Sequence, residues 1–279
     1  MKKKPIIGLI YDFDGTLSPG NMQEFGFIQA IGQTPEEFWS RSNGIAIDQD
    51  ASDILAYMKL MIDEARRKGI PLTRERFRSF GEQITLYDGV KDWFRMINAY
   101  GKSHGVEIEH YIISSGLTEI IEGSPIAGAF KHIFASSFIY DKAGEAEWPG
   151  ISVDYTEKTQ FLFKIRKGIF SSRDSKKVNE SWADERKRIS FEHMIYFGDG
   201  ETDIPAMKLV SLEGGNAIAV FDPARPGKKD TARKLLRQGR VNFMAPAIYT
   251  KGSRTYRLVC AIIDKIKADS DLSQLSSYK

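Results

Sequence analysis

The feature that most constrains this chain is an apolar run near its start that is followed at once by two acids. Residues 6–11 have the sequence Ile-Ile-Gly-Leu-Ile-Tyr, and Asp12, Asp14 and Gly15 come directly after them. An apolar run without turn residues is typical of a strand buried on both faces of a parallel sheet. Carboxylates at the end of such a strand can bind a divalent cation, attack an electrophile or move a proton. The sequence therefore predicts a buried strand with a chemical site at its end.

Two further apolar runs also end in polar residues. Residues 108–115 are predicted to form a strand that ends in Ser114-Ser115-Gly116, just before a short helix over residues 117–121. Residues 193–197 are predicted to form another strand, followed by Gly198-Asp199-Gly200-Glu201-Thr202-Asp203. Small hydroxyls before a helix start are suited to holding an anion, and acids again collect at a strand end.

The stretch between the first strand and residue 87 has helical rather than extended periodicity. Residues 53–68 place apolar side chains along one stripe, which predicts an amphipathic helix. Thr34 followed by Pro35 and two glutamates has the pattern of a helix start. We therefore expect residues 18–86 to form a separate helical domain inserted after the first strand, with residues 1–17 and 87–279 forming the main domain.

The rest of the chain alternates between apolar runs and charged or helical stretches. Further strands are expected over residues 133–140, 151–155 and 214–221, with an apolar helix over 258–266 and a polar tail over 268–279 that frays. The charged span 166–188 is expected to be a solvated helix or loop. Strands separated by helices predict an α/β fold with a doubly wound, mostly parallel sheet, and such sheets bind ligands beyond the carboxyl ends of their strands.

Composition excludes several classes of protein. The chain has 279 residues, 42% of them apolar, and its 40 basic and 37 acidic residues give a net charge of +3, so composition makes no general case for nucleic-acid binding and leaves only local basic patches open. Cys260 is the only cysteine, which rules out a disulfide framework. No apolar run is long enough for a membrane helix, and Asp12 and Asp14 interrupt the only segment that could resemble a signal peptide. We expect a cytoplasmic protein that is a monomer or homodimer, with no membrane or nucleic-acid partner.

Each polar residue at these strand ends has an ordinary structural explanation when it is taken alone. The acids could be turn residues, Ser114 could cap a helix, and Lys158, near another predicted helix start, could be a surface charge. Together they supply a cation site, an anion site and a nucleophile at one edge of the predicted sheet. The combination favours a catalytic site.

These motifs, in this order, resemble those of the haloacid dehalogenase (HAD) superfamily of phosphotransferases. Asp12-Phe13-Asp14-Gly15-Thr16 is similar to motif I, Ser114 to motif II, Lys158 to motif III and residues 198–203 to motif IV. The Ser-Ser-Gly form of motif II and the helical insertion resemble the phosphoserine phosphatase-like branch, in which a helical cap of the first type covers a Rossmann-like core. The resemblance spans residues 6–220 and implies that residues 18–86 are the cap domain.

The resemblance also implies a role for each residue. Asp12 would attack phosphorus to form an aspartyl-phosphate, and Asp14 would protonate the leaving oxygen and later deprotonate water. Mg2+ would be bound by Asp12, the carbonyl of Asp14 and Asp199, which matches the preference of a hard cation for oxygen, and Asp203 would be a further ligand or an acid just behind them. The phosphate-binding residues would be Ser114, Ser115, Gly116, Lys158 and Thr16.

The implied function is hydrolysis of a small phosphorylated metabolite by a Mg2+-dependent phosphatase. A phosphomutase of the same fold remains an alternative, as does a catalytically silent binding protein, although the silent class usually lacks one of the acids or the lysine. Selectivity would come from the cap, and its candidates are Glu24, Phe25, Phe27, Trp39, Arg41 and Asn43.

Overall fold

A seven-stranded sheet forms the centre of the molecule, and the apolar run at residues 6–11 is its middle strand. The computed structural model describes residues 4–181 and 188–276. The strands are β1 (Ile6–Tyr11), β2 (Glu107–Leu117), β3 (His132–Tyr140), β4 (Ala146–Ile151), β5 (Met194–Gly198), β6 (Asn216–Phe221) and β7 (Phe243–Pro246). Their order in the sheet is β4-β3-β2-β1-β5-β6-β7, and all neighbours are parallel except β3 and β4.

The helices lie on both faces of this sheet or in the segment after β1. They are α1 (Phe27–Ala30), α2 (Pro35–Gln49), α3 (Asp53–Lys68), α4 (Arg74–Gly81), α5 (Val90–Ser103), α6 (Thr118–Gly123), α7 (Glu157–Lys167), α8 (Ile204–Leu212), α9 (Lys228–Arg237) and α10 (Arg254–Ser276). Within the ranges that the structure describes, none of these helices has both the length and the apolar composition needed to cross a bilayer.

Alternation along β1 divides the core into two layers. Ile7, Leu9 and Tyr11 pack in an apolar cluster with α5 and α10, whereas Ile10 packs in a second cluster with α7, α8 and α9. Both faces of β1 are therefore covered, which explains why its sequence is apolar throughout rather than alternating. The predicted α/β class with a doubly wound, mostly parallel sheet is confirmed.

Helices α1 to α4 form the inserted segment, and local signals fix three of their ends. Thr34 and Glu37 form a capping box at the start of α2, with Pro35 at the first helical position. Ser52 caps α3, and Gly69 ends it in the left-handed conformation. The insertion shares the α5-side cluster with the sheet through residues such as Phe27 and Phe77. The domain boundaries after residues 17 and 86 stay a prediction.

The expected strand over residues 151–155 is wrong, because β4 lies earlier in the chain. Asp141 accepts hydrogen bonds from the backbone N–H groups of Ala143 and Glu145, and this tight turn returns the chain into antiparallel pairing from Ala146. The strand ends at Ile151, after which the chain leaves the sheet toward α7.

The expected fraying of the tail is also wrong for residues 268–276. Helix α10 continues to Ser276, and the ion pairs Lys265–Asp269 and Lys267–Asp271 have the i, i+4 spacing that supports a solvated helix. Residues 277–279, residues 182–187 of the charged span and residues 1–3 lie outside the described residues. Cys260 is buried, as its apolar surroundings suggest.

Candidate active site

The polar residues predicted at strand ends meet at the carboxyl edge of the sheet, because β1 and β5 are parallel neighbours. Asp12 follows β1 and Asp199 follows β5, and the backbone N–H of Asp12 donates to the carbonyl of Phe197 in β5. Lys158, the second residue of α7, reaches the same edge. Three separate segments of the chain thus place charged groups at one point.

Lys158 lies between two carboxylates and is completely buried. Its Nζ donates to Asp12 Oδ1 at 3.0 Å and to Asp203 Oδ1 at 2.7 Å. The side chains of Lys158 and Asp203 are both 0% exposed, and that of Asp12 is 7% exposed. Asp203 Oδ1 also accepts a hydrogen bond of 2.8 Å from the hydroxyl of Tyr196. The geometry fixes the positions of both acids.

Burial and crowding of negative charge control the protonation of this network. Burial, together with the nearby Asp203 carboxylate, raises the pKa of Asp12 to about 8, and the Lys158 ammonium opposes this rise. Burial lowers the pKa of Lys158, but Asp12 and Asp203 outweigh it, so that the pKa lies above its ordinary value. Lys158 is therefore a fixed positive charge, and a further cation would favour the ionised form of Asp12.

The acids also have the chemistry of a cation site. Carboxylate oxygens of Asp12, Asp199 and Asp203 all lie within 4.8 Å of one another. Asp203 Oδ2 is buried without a hydrogen-bond partner among the described residues, and burial raises the pKa of Asp199 despite its 2.8 Å contact with Lys228 Nζ. An all-oxygen set with an unpartnered buried oxygen fits Mg2+.

Asp14 faces the same space from the loop after β1. Its Oδ1 accepts a hydrogen bond of 3.0 Å from the backbone N–H of Met22, and burial raises its pKa well above the ordinary value, with Asp12 adding to the rise. Gly15 turns this loop with a φ of +74°, and a Cβ there would lie 2.4 Å from the carboxyl carbon of Asp199. The turn thus brings Asp14 into the site while leaving room for Asp199.

A bulge at the end of β2 supplies the uncharged side of the site. Pairing with β3 shifts register between Ser114 and Leu117, so that Ser115 and Gly116 lie outside the regular ladder. Ser114 Oγ accepts a hydrogen bond of 3.0 Å from the N–H of Gly116. A Cβ at Gly116 would lie 2.1 Å from Met22 Cε and 3.2 Å from Asp14 Oδ2, so a larger residue would require the buried Met22 side chain to move. Hydroxyls and backbone groups therefore face the acids across the site.

A cavity of about 230 Å³ lies between this edge and the inserted helices. Residues from the sheet edge form its floor, and residues from the insertion form its roof. The lining residues are Asp12, Asp14, Asn21, Gln23, Trp39, Ser42, Asn43, Asp53, Ile54, Tyr57, Ser114, Ser115, Gly116, Lys158, Asp199 and Thr202.

The structure brings together most, but not all, of the residues predicted from the sequence. Asp12, Asp14, Ser114, Ser115, Gly116, Lys158 and Asp199 line the cavity, and Asp203 lies behind Lys158. Thr16 does not line it; its carbonyl accepts from the hydroxyl of Tyr249, and its own hydroxyl is buried without a partner among the described residues. Thr16 thus lies with the loop after β1, away from the open space.

The six cap candidates have different surroundings. Trp39 and Asn43 line the cavity, whereas Phe27 is fully buried in the core and Phe25 is packed against it. The carboxylate of Glu24 accepts a 2.9 Å hydrogen bond from Trp39 Nε1, and Arg41 pairs with Glu64 at 2.8 Å. Only two of the six are therefore placed to touch a ligand.

Sequence reasoning missed four residues with a clear place in the site. Tyr196 and Tyr57 resemble core aromatics in an apolar context, and Tyr57 donates a 2.7 Å hydrogen bond to the carbonyl of Ser115. Gln23 lies beside the candidate Glu24, and Lys228 follows a turn that carries no motif. The sequence offered a signal for Gln23 alone, namely its position in the segment that follows the Asp14 loop.

Comparison with other sequences gives two findings. A sequence profile of the haloacid dehalogenase-like hydrolase family matches residues 9–208. An uncharacterized protein from Borreliella burgdorferi is 27% identical over 285 residues, which is 92% of this chain and 96% of that protein.

Comparison with solved structures shows the same fold. The HAD family hydrolase t0658 from Salmonella enterica serovar Typhi has a TM-score of 0.55 at 17% identity, covering 86% of this chain and 68% of the other. A substrate-bound phosphoserine phosphatase has a TM-score of 0.51 at 18% identity, covering 85% and 99%. A phosphoserine phosphatase with an analogue of its phospho-aspartyl intermediate has a TM-score of 0.50 at 18% identity, covering 89% and 95%.

Proposed function

Because this chain belongs to the haloacid dehalogenase-like hydrolase family, we propose that it is a phosphatase that hydrolyses a small phosphorylated metabolite in the cytoplasm. The observation that supports this most directly is the contact between Asp12 and Lys158 on the floor of a cavity. A carboxylate held beside a buried ammonium is a nucleophile that an anionic substrate can approach, since the ammonium offsets the charge repulsion.

The proposed reaction has two steps. A carboxylate oxygen of Asp12 forms a bond to phosphorus, the ester P–O bond breaks, and Asp14 gives a proton to the leaving alcohol. Asp14 then takes a proton from water as the water oxygen attacks the aspartyl-phosphate, which releases phosphate and restores Asp12. Lys158 and the hydroxyl of Ser114 hold the phosphoryl oxygens in both steps.

We also propose that the acids hold Mg2+. Asp12, Asp199, the carbonyl of Asp14 and Asp203, directly or through water, would be its ligands. When bound, Mg2+ would neutralise charge on the phosphoryl group and orient it. The unpartnered Asp203 Oδ2 and the shared position of three carboxylates support this assignment.

Residues 18–86 are proposed to act as the cap of the enzyme. Their lining residues close the cavity opposite the acids, and Tyr57 connects α3 to the loop at Ser115 by a hydrogen bond. A cap over the site would exclude water from the first step and determine which alcohol is accepted.

The test is phosphate release from p-nitrophenyl phosphate by the purified protein. We expect turnover with Mg2+, its loss with excess chelator, and a fall of at least about 10³-fold in Asp12→Asn, which removes the nucleophile. Asp48→Asn, an exposed position of α2, is the matched control. Unchanged turnover in Asp12→Asn would exclude Asp12 as the nucleophile.

A further inference from the structure

The roof of the cavity is polar but lacks positive charge. The inserted segment contributes eight of the lining residues, namely Asn21, Gln23, Trp39, Ser42, Asn43, Asp53, Ile54 and Tyr57. Lys158 is the one cationic side chain in the described lining, and Asp12 and Asp203 already engage it. The nearby cap cation Arg41 is bound to Glu64. A ligand group under this roof meets amides, hydroxyls and aromatic rings.

Two buried polar atoms in the lining have no hydrogen-bond partner among the described residues. They are Oε1 of Gln23, a residue only 2% exposed, and Oγ of Ser115. A buried polar atom in a native structure normally has a partner, so both atoms point to a ligand or water that completes them. A hydroxyl group suits either atom, because it can donate to an amide oxygen and accept from a serine hydroxyl.

Charged leaving groups fit this roof poorly. A carboxylate placed there would lose water without gaining a cation, which is strongly unfavourable. An ammonium would need a buried carboxylate, but Asp53, the only acid in the roof, is exposed. Glu24, the next acid nearby, accepts hydrogen bonds from Trp39 and Asn21 and does not line the cavity.

We propose that the substrate is the phosphate ester of a small uncharged polyol or sugar, with Gln23 and Ser115 binding a hydroxyl of the alcohol part. This inference rests on the proposed phosphatase function and adds the class of substrate to it. The cavity of about 230 Å³ is smaller than the pockets that hold drug-sized ligands, which limits the alcohol to a small molecule.

The first experiment compares three esters, two of which differ at one carbon. Glycerol 3-phosphate carries a hydroxymethyl group where 3-phosphoglycerate carries a carboxylate, and O-phosphoethanolamine tests a cation. With Mg2+ present, we expect kcat/KM for glycerol 3-phosphate to exceed those for both charged esters by at least about tenfold. Equal values, or a preference for either charged ester, would overturn the proposed substrate class.

A charge-introducing variant tests the role of the roof. Asn43→Arg places a cation in the lining, and we expect it to raise the ratio of kcat/KM for 3-phosphoglycerate over glycerol 3-phosphate by at least about fivefold. Gln49→Arg adds the same charge at an exposed position of α2 outside the lining and should leave the ratio unchanged. An equal change in both variants, or none in Asn43→Arg, would contradict the inference.

Gln23→Leu tests the hydroxyl contact by keeping size and removing both polar ends. We expect KM for glycerol 3-phosphate to rise several-fold more than KM for p-nitrophenyl phosphate, whose ring has no hydroxyl to bind. If Gln23 had only a structural role, KM would change equally for the two substrates. That result would overturn the assignment of Gln23. Turnover of p-nitrophenyl phosphate without discrimination among the esters would refute the substrate class alone. No turnover of any ester would refute the phosphatase function itself.

Discussion

Two clusters of buried charged residues in this molecule have opposite ratios of acids to cations. The strand-end cluster comprises Asp12, Asp199 and Asp203 with Lys158, and one of its carboxylate oxygens has no partner among the described residues. The Glu64 cluster has one acid and two cations, since Glu64 binds Arg41 at 2.8 Å and Arg67 at 2.6 Å. The strand-end cluster has more acids than cations and lies beside a cavity. The Glu64 cluster has more cations than acids.

The pKa values of the two clusters move in opposite directions. Burial and neighbouring carboxylates raise the pKa of Asp12 to about 8, although Lys158 is in contact. Hydrogen bonds from Arg41 and Arg67 lower the pKa of Glu64 to about 2, although its side chain is only 3% exposed. Burial is the largest cause of the rise at Asp12, whereas at Glu64 the hydrogen bonds from two arginines outweigh the opposing effect of burial.

This difference distinguishes a charged residue that stabilises the fold from charged residues that can act in binding or catalysis. Gln33 also donates to Glu64 at 2.6 Å, so both carboxylate oxygens of Glu64 have partners, whereas the buried Oε1 of Gln33 has none among the described residues. In the strand-end cluster, one carboxylate oxygen has no hydrogen-bond partner among the described residues, and negative charge exceeds positive charge. This cluster lies next to the cavity. A buried network that is incomplete on the side of a cavity is where a cation and a substrate would be expected.

The largest expected contrast comes from removing the cation of the strand-end cluster. Lys158→Met leaves Asp12 and Asp203 buried without a cation, so we expect unfolding free energy to fall by about 3–5 kcal/mol, with loss of phosphatase activity. Urea denaturation at pH 7 measures it. Lys59→Met, which removes an exposed ion pair on α3, should change stability little. Similar losses in both variants would remove the distinction between buried and exposed pairs.

The next contrast is the response to Mg2+. At a free concentration 100 times its Kd, Mg2+ should raise the unfolding free energy by about 2.7 kcal/mol through binding to the strand-end cluster. Thermal unfolding with and without Mg2+ measures the gain. We expect it to be smaller in Asp199→Asn and retained in Glu64→Gln. An undiminished gain in Asp199→Asn would place the cation elsewhere.

A smaller effect tests the Glu64 cluster through pH. Because the folded pKa of Glu64 is lowered from 4.5 to about 2, its stabilisation is present above pH 4.5 and is lost as pH falls toward 2. Glu64→Gln should therefore reduce stability at pH 7 by about 1–2 kcal/mol. Denaturant titrations at pH 7, 4 and 2 should show the two proteins converging at the lowest pH. A constant difference across that range would mean that packing, not charge, stabilises this site.

The smallest effect concerns the hydroxyl that supports Asp203. Tyr196→Phe removes the 2.8 Å hydrogen bond to Asp203 Oδ1 but leaves the Lys158 contact in place. We expect a loss of about 0.5–1.5 kcal/mol by urea denaturation. Tyr256→Phe, in a partly buried position of α10, is the matched control. A loss as large as that in Lys158→Met would make Tyr196 the main support of the cluster.

The acids of the strand-end cluster could be predicted because they follow apolar strands, and the carboxyl ends of neighbouring parallel strands lie at the same edge of a sheet. The sequence also indicated α3 and the start of α2, where capping residues and periodicity agree. Lys158 could be predicted at the same edge of the sheet, but its position between two acids depends on tertiary contacts.

What could not be predicted depends on contacts between distant segments. Tyr196 lies inside a strand, and nothing in its neighbourhood distinguishes a hydroxyl that binds Asp203 from one in an ordinary core. β7 has four residues, too few to show alternation. The start of β4 depends on the turn at Asp141. The length of α10 depends on i, i+4 ion pairs, which are difficult to recognise within a run of polar residues.

The parallel pairing of β1 also bears on how the chain folds as it is made. Ile6 pairs with Glu107 and Gly8 with Met194, so β1 leaves the ribosome before either of its two neighbours in the sheet. At ordinary rates of synthesis, the second neighbour emerges roughly 10 s or more after β1. During that interval an apolar strand has two unpaired edges, which favours aggregation. Helices α2 and α3 contact each other directly and can pack together before those neighbours emerge.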